Sequence, residues 1–266
     1  MSPPFHPHVG HQSVTYIIEG GAQYEDTFGN EATLLKGDLS WMNAGSGVWH
    51  VEFPAKKIQE RGGLSEFFQL WLRSPNEAQK REPSYQDIRQ ERFPSFHNEE
   101  WKLTVLAGRL SHPNDPNSHL LSPVFLETPV LLFKVDLQPK ATLRIPGIED
   151  DYRIYCYLLK GTHAYVGPEN KKLVFSNAFK LKKVDSLKAS NDIVLKGGEE
   201  ETSSVIIIGV KDMEDKFVRR NTIVAESNEK LEEFLELYRE RKIASTPPVI
   251  LEKLGYTDKE MQEALL

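Results

Sequence analysis

Short apolar strands, broken every few residues by glycine, proline or asparagine, run through roughly the first 220 residues and constrain the fold more than any other feature. Val14-Thr15-Tyr16-Ile17-Ile18-Glu19-Gly20 is β-branched and aromatic and stops at Gly20-Gly21. Phe28-Gly29-Asn30 and Leu35-Lys36-Gly37-Asp38 read as turns. Phe67–Leu72 and Leu103–Gly108 are further short apolar runs, and a second series follows at Val130–Leu137, Tyr152–Leu159, Asp192–Leu195 and Ser204–Val210. Strands at such short spacing build sandwiches or barrels. Glu19-Gly20-Gly21 and Lys160-Gly161 each close a strong apolar strand, which reads as a loose internal duplication of two barrels. The polar stretch from Asn76 to Asn98, with Pro83 and Pro94, is predicted to cross between the halves.

The C-terminal segment has a different period. Between Asn228 and Arg241, Leu231, Phe234, Leu235 and Tyr238 fall on one helical stripe, and Arg239, Arg241 and Lys242 suit the negative helix end. Pro247-Pro248 breaks the chain, and Thr257-Asp258-Lys259-Glu260 has the capping-box pattern of a short final helix. Both helices are expected to pack on a sandwich face. The predicted division is residues 1–122 for an N-terminal metal-binding domain, 123–225 for a second domain without ligands, and 226–266 for a helical tail.

Composition excludes several classes. A net charge of −6 argues against broad docking on nucleic acid, which needs a basic face to displace counterions. No apolar run reaches the roughly 18–20 residues that span a bilayer, and no secretory leader pattern opens the chain. A cytoplasmic or nuclear location is expected, although Lys180-Leu181-Lys182-Lys183 is too short for an import signal. The one cysteine, Cys156, lies in Tyr155-Cys156-Tyr157-Leu158-Leu159 and is expected to be a buried core thiol.

Two pairs carry the chemistry: His6 with His8, and His50 with Glu52. Side chains two apart on a strand share a face. Two adjacent strands can therefore aim three imidazoles and a carboxylate at one point. That donor set suits a borderline divalent ion, one per chain, such as Fe(II), with Mn(II), Co(II), Ni(II) and Cu(II) also compatible. An octahedral ion would keep two positions open. Trp41-Met42-Asn43-Ala44-Gly45-Ser46-Gly47-Val48-Trp49 puts a glycine-rich turn ahead of His50, able to swing it towards His6 and His8. Phe5, Trp41 and Trp49 are read as packing residues, with the mouth of a pocket as the alternative. His11, His97 and His163 are expected to be dispensable for metal content, and His97, His112, His119 and His163 to be surface or core residues.

In this setting the chain resembles the pirin family of cupins. Phe5-His6-Pro7-His8-Val9-Gly10, Thr15–Gly20, Lys36-Gly37-Asp38 leading to Trp41-Met42, Ala44-Gly45-Ser46-Gly47, His50-x-Glu52, Gln69–Leu72 and Glu82–Gln86 match its signature in order. Gly161 with Ala164–Pro168 looks like the turn of its second domain. The resemblance covers roughly residues 4–211. It implies an all-β fold of two stacked, jelly-roll-like cupin barrels with C-terminal helices. It also implies iron in the first barrel only, held by His6, His8, His50 and Glu52. The chain departs from the pattern at Val9 and Ser46, where the family has arginine, at His11, where it has an aromatic, and at Gln12, where it has glutamate. The late Gly-Pro-Phe motif is absent near Arg219–Thr222. Met1 lies only five residues ahead of His6, where the family carries further strand, so a longer start and an incomplete first barrel are expected.

The resemblance implies one of two activities. In the first, a monomer takes a small aromatic polyol such as a flavonol and opens it by a 2,3-dioxygenase reaction, with Glu52 as ligand and as acceptor of the substrate's hydroxyl proton. In the second, an iron-dependent, redox-responsive co-regulator of transcription works through a protein partner. A degenerate cupin without metal is the third expectation.

Overall fold

The computed structural model describes residues 5–112, 115–146, 148–149, 151–175, 178–180 and 192–239. The chain folds as two compact units, one from residues up to Gln90 together with those from Glu214, the other from Glu91 to Met213. Among the described residues no helix is long and apolar enough to cross a membrane.

The first unit is a sandwich of two antiparallel four-stranded sheets. Its strands are β1 (His6–His8), β2 (His11–Glu19), β3 (Gly21–Asp26), β4 (Glu31–Leu35), β5 (Leu39–Asn43), β6 (Val48–Pro54), β7 (Glu66–Arg73) and β8 (Ser84–Ile88), with a short helix α1 (Lys56–Arg61) after β6. One sheet has the order β1-β6-β3-β4 and the other β7-β2-β5-β8. The run Val14–Gly20 is thus the middle of β2, a strand hydrogen-bonded on both sides, to β5 and to β7. Its apolar and polar residues are both buried. The segment expected to cross between halves supplies β8, which pairs with β5 in this unit.

The second unit contains β9 (Ser95–His97), β10 (Trp101–Ala107), β11 (Arg109–His112), β12 (Asp115–Leu121), β13 (Val130–Leu137), β14 (Thr142–Ile145), β15 (Tyr152–Lys160), β16 (His163–Val166), β17 (Lys171–Val174), β18 (Ala178–Lys180), β19 (Ile193–Gly197) and β20 (Ser203–Lys211). Its sheets are β18-β15-β20-β13-β10-β9 and β14-β19-β16-β17, with β11 and β12 as a hairpin. A row of facing partners crosses the large sheet: Val105 opposite Phe133, Phe133 opposite Ile207, and Ile207 opposite Cys156. All four are fully buried in one apolar core. Cys156 is a buried free thiol, and burial pushes it up to about 12. This unit starts well before residue 123, because β10 pairs with β13 and β9.

The C-terminal segment returns to the first unit through the hairpin of β21 (Val218–Arg220) and β22 (Ile223–Ala225) and the helix α2 (Asn228–Arg239). Leu231, Phe234 and Leu235, three of the four residues of the predicted stripe, are buried with Phe5, Val9, Trp49, Val51, Ile223 and Ala225. Each such side chain contributes about 1.5–3 kcal/mol. Instead of forming a separate tail, the helix caps the sheet that carries the two histidine pairs. The predicted final helix from Thr257 lies outside the described residues.

Candidate metal centre

Strand pairing builds the site. β1 lies antiparallel to β6 with His6 directly opposite His50. The period of two then puts His8 on the same face as His6, and Glu52 on the same face as His50. The turn before β6 carries Gly45 at φ 48°, where a Cβ would stand 2.3 Å from the Arg81 carbonyl oxygen, so this approach requires glycine.

One ring nitrogen from each of His6, His8 and His50 lies within 4.8 Å of the other two. Nε2 of His8 stands 2.9 Å from Nε2 of His50. Two nitrogens bound side by side to an octahedral ion at about 2.1 Å are separated by about 3.0 Å, so this spacing fits two adjacent ligands of one metal. His8 and His50 are buried, and desolvation, followed by the neighbouring histidines, holds both well below the usual imidazole range. They are therefore neutral, the form that donates a lone pair. Nδ1 of His50 is buried without a partner, so nothing in the described protein satisfies both nitrogens of that ring. The donor set and this unsatisfied ring fit a transition-metal ion.

Glu52 stands beside this cluster but outside the group of three. Its carboxylate accepts the Thr15 hydroxyl at 2.9 Å and the Gln69 amide at 2.7 Å. Burial raises it above the ordinary carboxylate range, partly offset by those two hydrogen bonds. A cation alongside would favour its ionised form. Gln69 in turn accepts the Trp71 indole at 2.9 Å. Thr15, and not its β2 neighbours Val14 and Tyr16 on the opposite face, is the residue turned towards Glu52.

His11, expected to play no part, is buried against His8, its Nε2 2.6 Å from His8 Nδ1. Burial lowers it to about 4, with the Val9 carbonyl acting against that shift. Gln12 accepts the Trp41 indole at 2.8 Å, so its amide is engaged in a structural bond. Phe5, Trp41 and Trp49 are buried packing residues. The exposed aromatics of β7 are Trp71 and Phe67, two residues on either side of Gln69. Trp71 packs 5.4 Å from the His8 ring and 5.1 Å from the His11 ring, and Arg219 covers it at 5.2 Å. Thr15, Gln69 and Trp71 stand within the stretches that match the family signature, but no sequence signal pointed to these contacts with the cluster.

The second unit offers no such cluster among the described residues. Its buried polar side chains are Ser122, Thr128, Ser203 and Ser204, and its interior is a continuous apolar core. His97 and His119 are exposed, and His112 and His163 half-buried.

Two jelly-roll-like β units, the first with an imidazole cluster in its interior and the second with an apolar core, define a bicupin with a metal-type site. The family model described as Pirin matches residues 1–72. Over that stretch the chain is similar to the pirin family. Pirin-like protein 2 of Arabidopsis thaliana is 31% identical over 59% of this chain and 44% of its own length. The chain spans about half the length of the plant relatives it matches. A Pseudomonas aeruginosa protein named as a candidate quercetin 2,3-dioxygenase is 29% identical, over 91% of this chain and 80% of its own. The crystal structure of a quercetin 2,3-dioxygenase from Acinetobacter baumannii superposes with a TM-score of 0.78 at 22% identity, covering 91% of this chain and 79% of that one. At that identity the likeness speaks for the fold alone.

Proposed function

We propose that this chain is a metal-dependent dioxygenase acting on a flavonol-like aromatic polyol, with His6, His8, His50 and Glu52 as the ligands of one divalent ion, iron first among the candidates. The observation that carries the reading is the convergence of three imidazole nitrogens within 4.8 Å beside a buried carboxylate. The similarity to the Pseudomonas protein supports the substrate class. A bound ion of this kind supplies a place where the adjacent oxygens of such a substrate and O₂ can meet. The chain's own residues do the rest. Thr15 and Gln69 hold the Glu52 carboxylate in one orientation, and its ionised form, which a neighbouring cation favours, can take the proton of a substrate hydroxyl. Trp71 and Phe67, half-exposed on β7, offer flat apolar faces on which an aromatic ring can lie.

Oxygen uptake with a panel of flavonols tests this. The metal-loaded protein should consume O₂ in step with flavonol loss, and His50→Ala and metal-stripped protein should not. Metal uptake without any flavonol-dependent O₂ consumption would overturn the enzymatic reading and favour metal-dependent regulation through a protein partner.

A further inference from the structure

We propose that His11 is a positioning residue that fixes the tautomer of His8 and so directs the His8 Nε2 lone pair towards His50. The inference rests on the reading of the cluster as a metal site, and it follows from counting hydrogens.

The Val9 carbonyl can only accept a hydrogen bond. It lies 3.1 Å from Nδ1 of His11, so that nitrogen must carry the proton. The His11 ring is buried, and its polar partners among the described residues are that carbonyl and His8. A buried imidazole with no anion against it stays neutral, because nothing repays the desolvation of its charge. It therefore has one N–H, already placed at Nδ1. Its Nε2 is a bare acceptor, 2.6 Å from Nδ1 of His8, and His8 Nδ1 must be the donor. The same reasoning applied to buried His8 leaves its Nε2 without a proton, 2.9 Å from His50 Nε2. The order Val9 carbonyl, His11, His8 is thus a one-way relay that ends in a lone pair facing the cluster.

Two features hold the relay in register. Trp71 packs on both rings, limiting their rotation. β2 begins at His11 and is locked at its first pairs to β7, with His11 opposite Arg73. A ligating histidine whose second nitrogen donates to a fixed acceptor is oriented and made more basic, and loss of such a partner costs about 10–100-fold in metal affinity. Here the acceptor is another imidazole, supplied three residues further along the same chain.

The test compares wild type with His11→Phe, which keeps a ring but no nitrogen, and His11→Gln, which keeps an acceptor. Metal-stripped proteins are titrated with Co(II) against a competing chelator. His11→Phe should bind about 10–100-fold more weakly, and His11→Gln within about threefold of wild type. Long-range nitrogen–proton spectra of the metal-free wild type, with histidine nitrogen labelled, should place the His8 proton on Nδ1. In His11→Phe that signal should shift towards protonated Nε2 without a comparable change in thermal unfolding. Equal Co(II) affinity in wild type and His11→Phe would overturn the proposal, as would a His8 proton on Nε2 in the metal-free wild type. A wild type that takes up no Co(II) would instead overturn the metal-site reading, and the tautomer measurement, which needs no variant and no metal, would still decide the relay.

Discussion

Replacing Gly10 with alanine should cost far more than a surface glycine substitution, because Gly10 is where the returning C-terminal hairpin meets the histidine strands. Gly10 has φ 72°, and an added Cβ would stand 2.2 Å from the Val224 carbonyl oxygen. Real Cβ atoms approach no closer than about 3.0 Å, so β22 would have to retreat. The hairpin is tied to Val9 by two backbone hydrogen bonds, Val224 N–H to the Val9 carbonyl at 3.0 Å and Val9 N–H to the Thr222 carbonyl at 3.2 Å. The left-handed backbone costs a non-glycine residue about 1–2 kcal/mol. Each hydrogen bond lost adds about 0.5–1.5 kcal/mol. The sum is about 2–5 kcal/mol, against a typical total of about 5–15 kcal/mol. Gly29 is the internal control, since its φ is 80° and nothing lies within 4 Å of its added Cβ. Gly29→Ala should lose only the conformational part, about 1–2 kcal/mol. Urea denaturation of both variants measures the difference. If Gly10→Ala and Gly29→Ala lose the same amount, the close approach of β22 to Gly10 is not made in solution and the reasoning fails.

His8→Ala and Glu52→Ala should abolish metal uptake measured by elemental analysis, and with it the added thermal stability that a saturating metal confers, about 2.7 kcal/mol at a hundredfold excess over Kd. Stability of the metal-free protein should fall as the pH drops from 6.5 towards 4. His11 has a depressed folded pKa of about 4 against 6.5, so the unfolded chain takes up its proton first. By this linkage His11 alone accounts for about 2 kcal/mol at pH 5. Glu52, raised, acts in the opposite sense above its ordinary value of 4.5. The comparison is therefore between wild type and His11→Phe, whose loss at pH 5 relative to pH 7.5 should be smaller by that amount; identical pH profiles would refute it. Cys156, fully buried and pushed up to about 12, should resist thiol reagents at pH 8 until urea unfolds the protein, and rapid labelling of the native form would contradict its placement.

Much of the first unit was legible because strand periodicity is local. His6 with His8, and His50 with Glu52, share faces as a direct consequence of the pleat, whatever the rest of the chain does. The burial of Cys156 and the stripe on the C-terminal helix followed from local pattern in the same way. The donors' residue types alone pointed to a borderline divalent metal.

Register and partner choice belong to the tertiary structure. Alternation in Val14–Ile18 allows either face to point inward, and only the approach of β6 across the sandwich selects Thr15 to meet Glu52. Gln69 reaches the same carboxylate from a strand 17 residues further on. His11 looked dispensable because nothing local says that its ring turns back onto His8. The assignment of β10 to the second unit and the return of the C-terminal helix to the first were equally hidden, since each depends on pairing between distant segments. The sequence by itself determined which donors share a strand face; only the folded chain decided which neighbours desolvate, orient and neutralise them, because those effects come from contacts made across the sandwich.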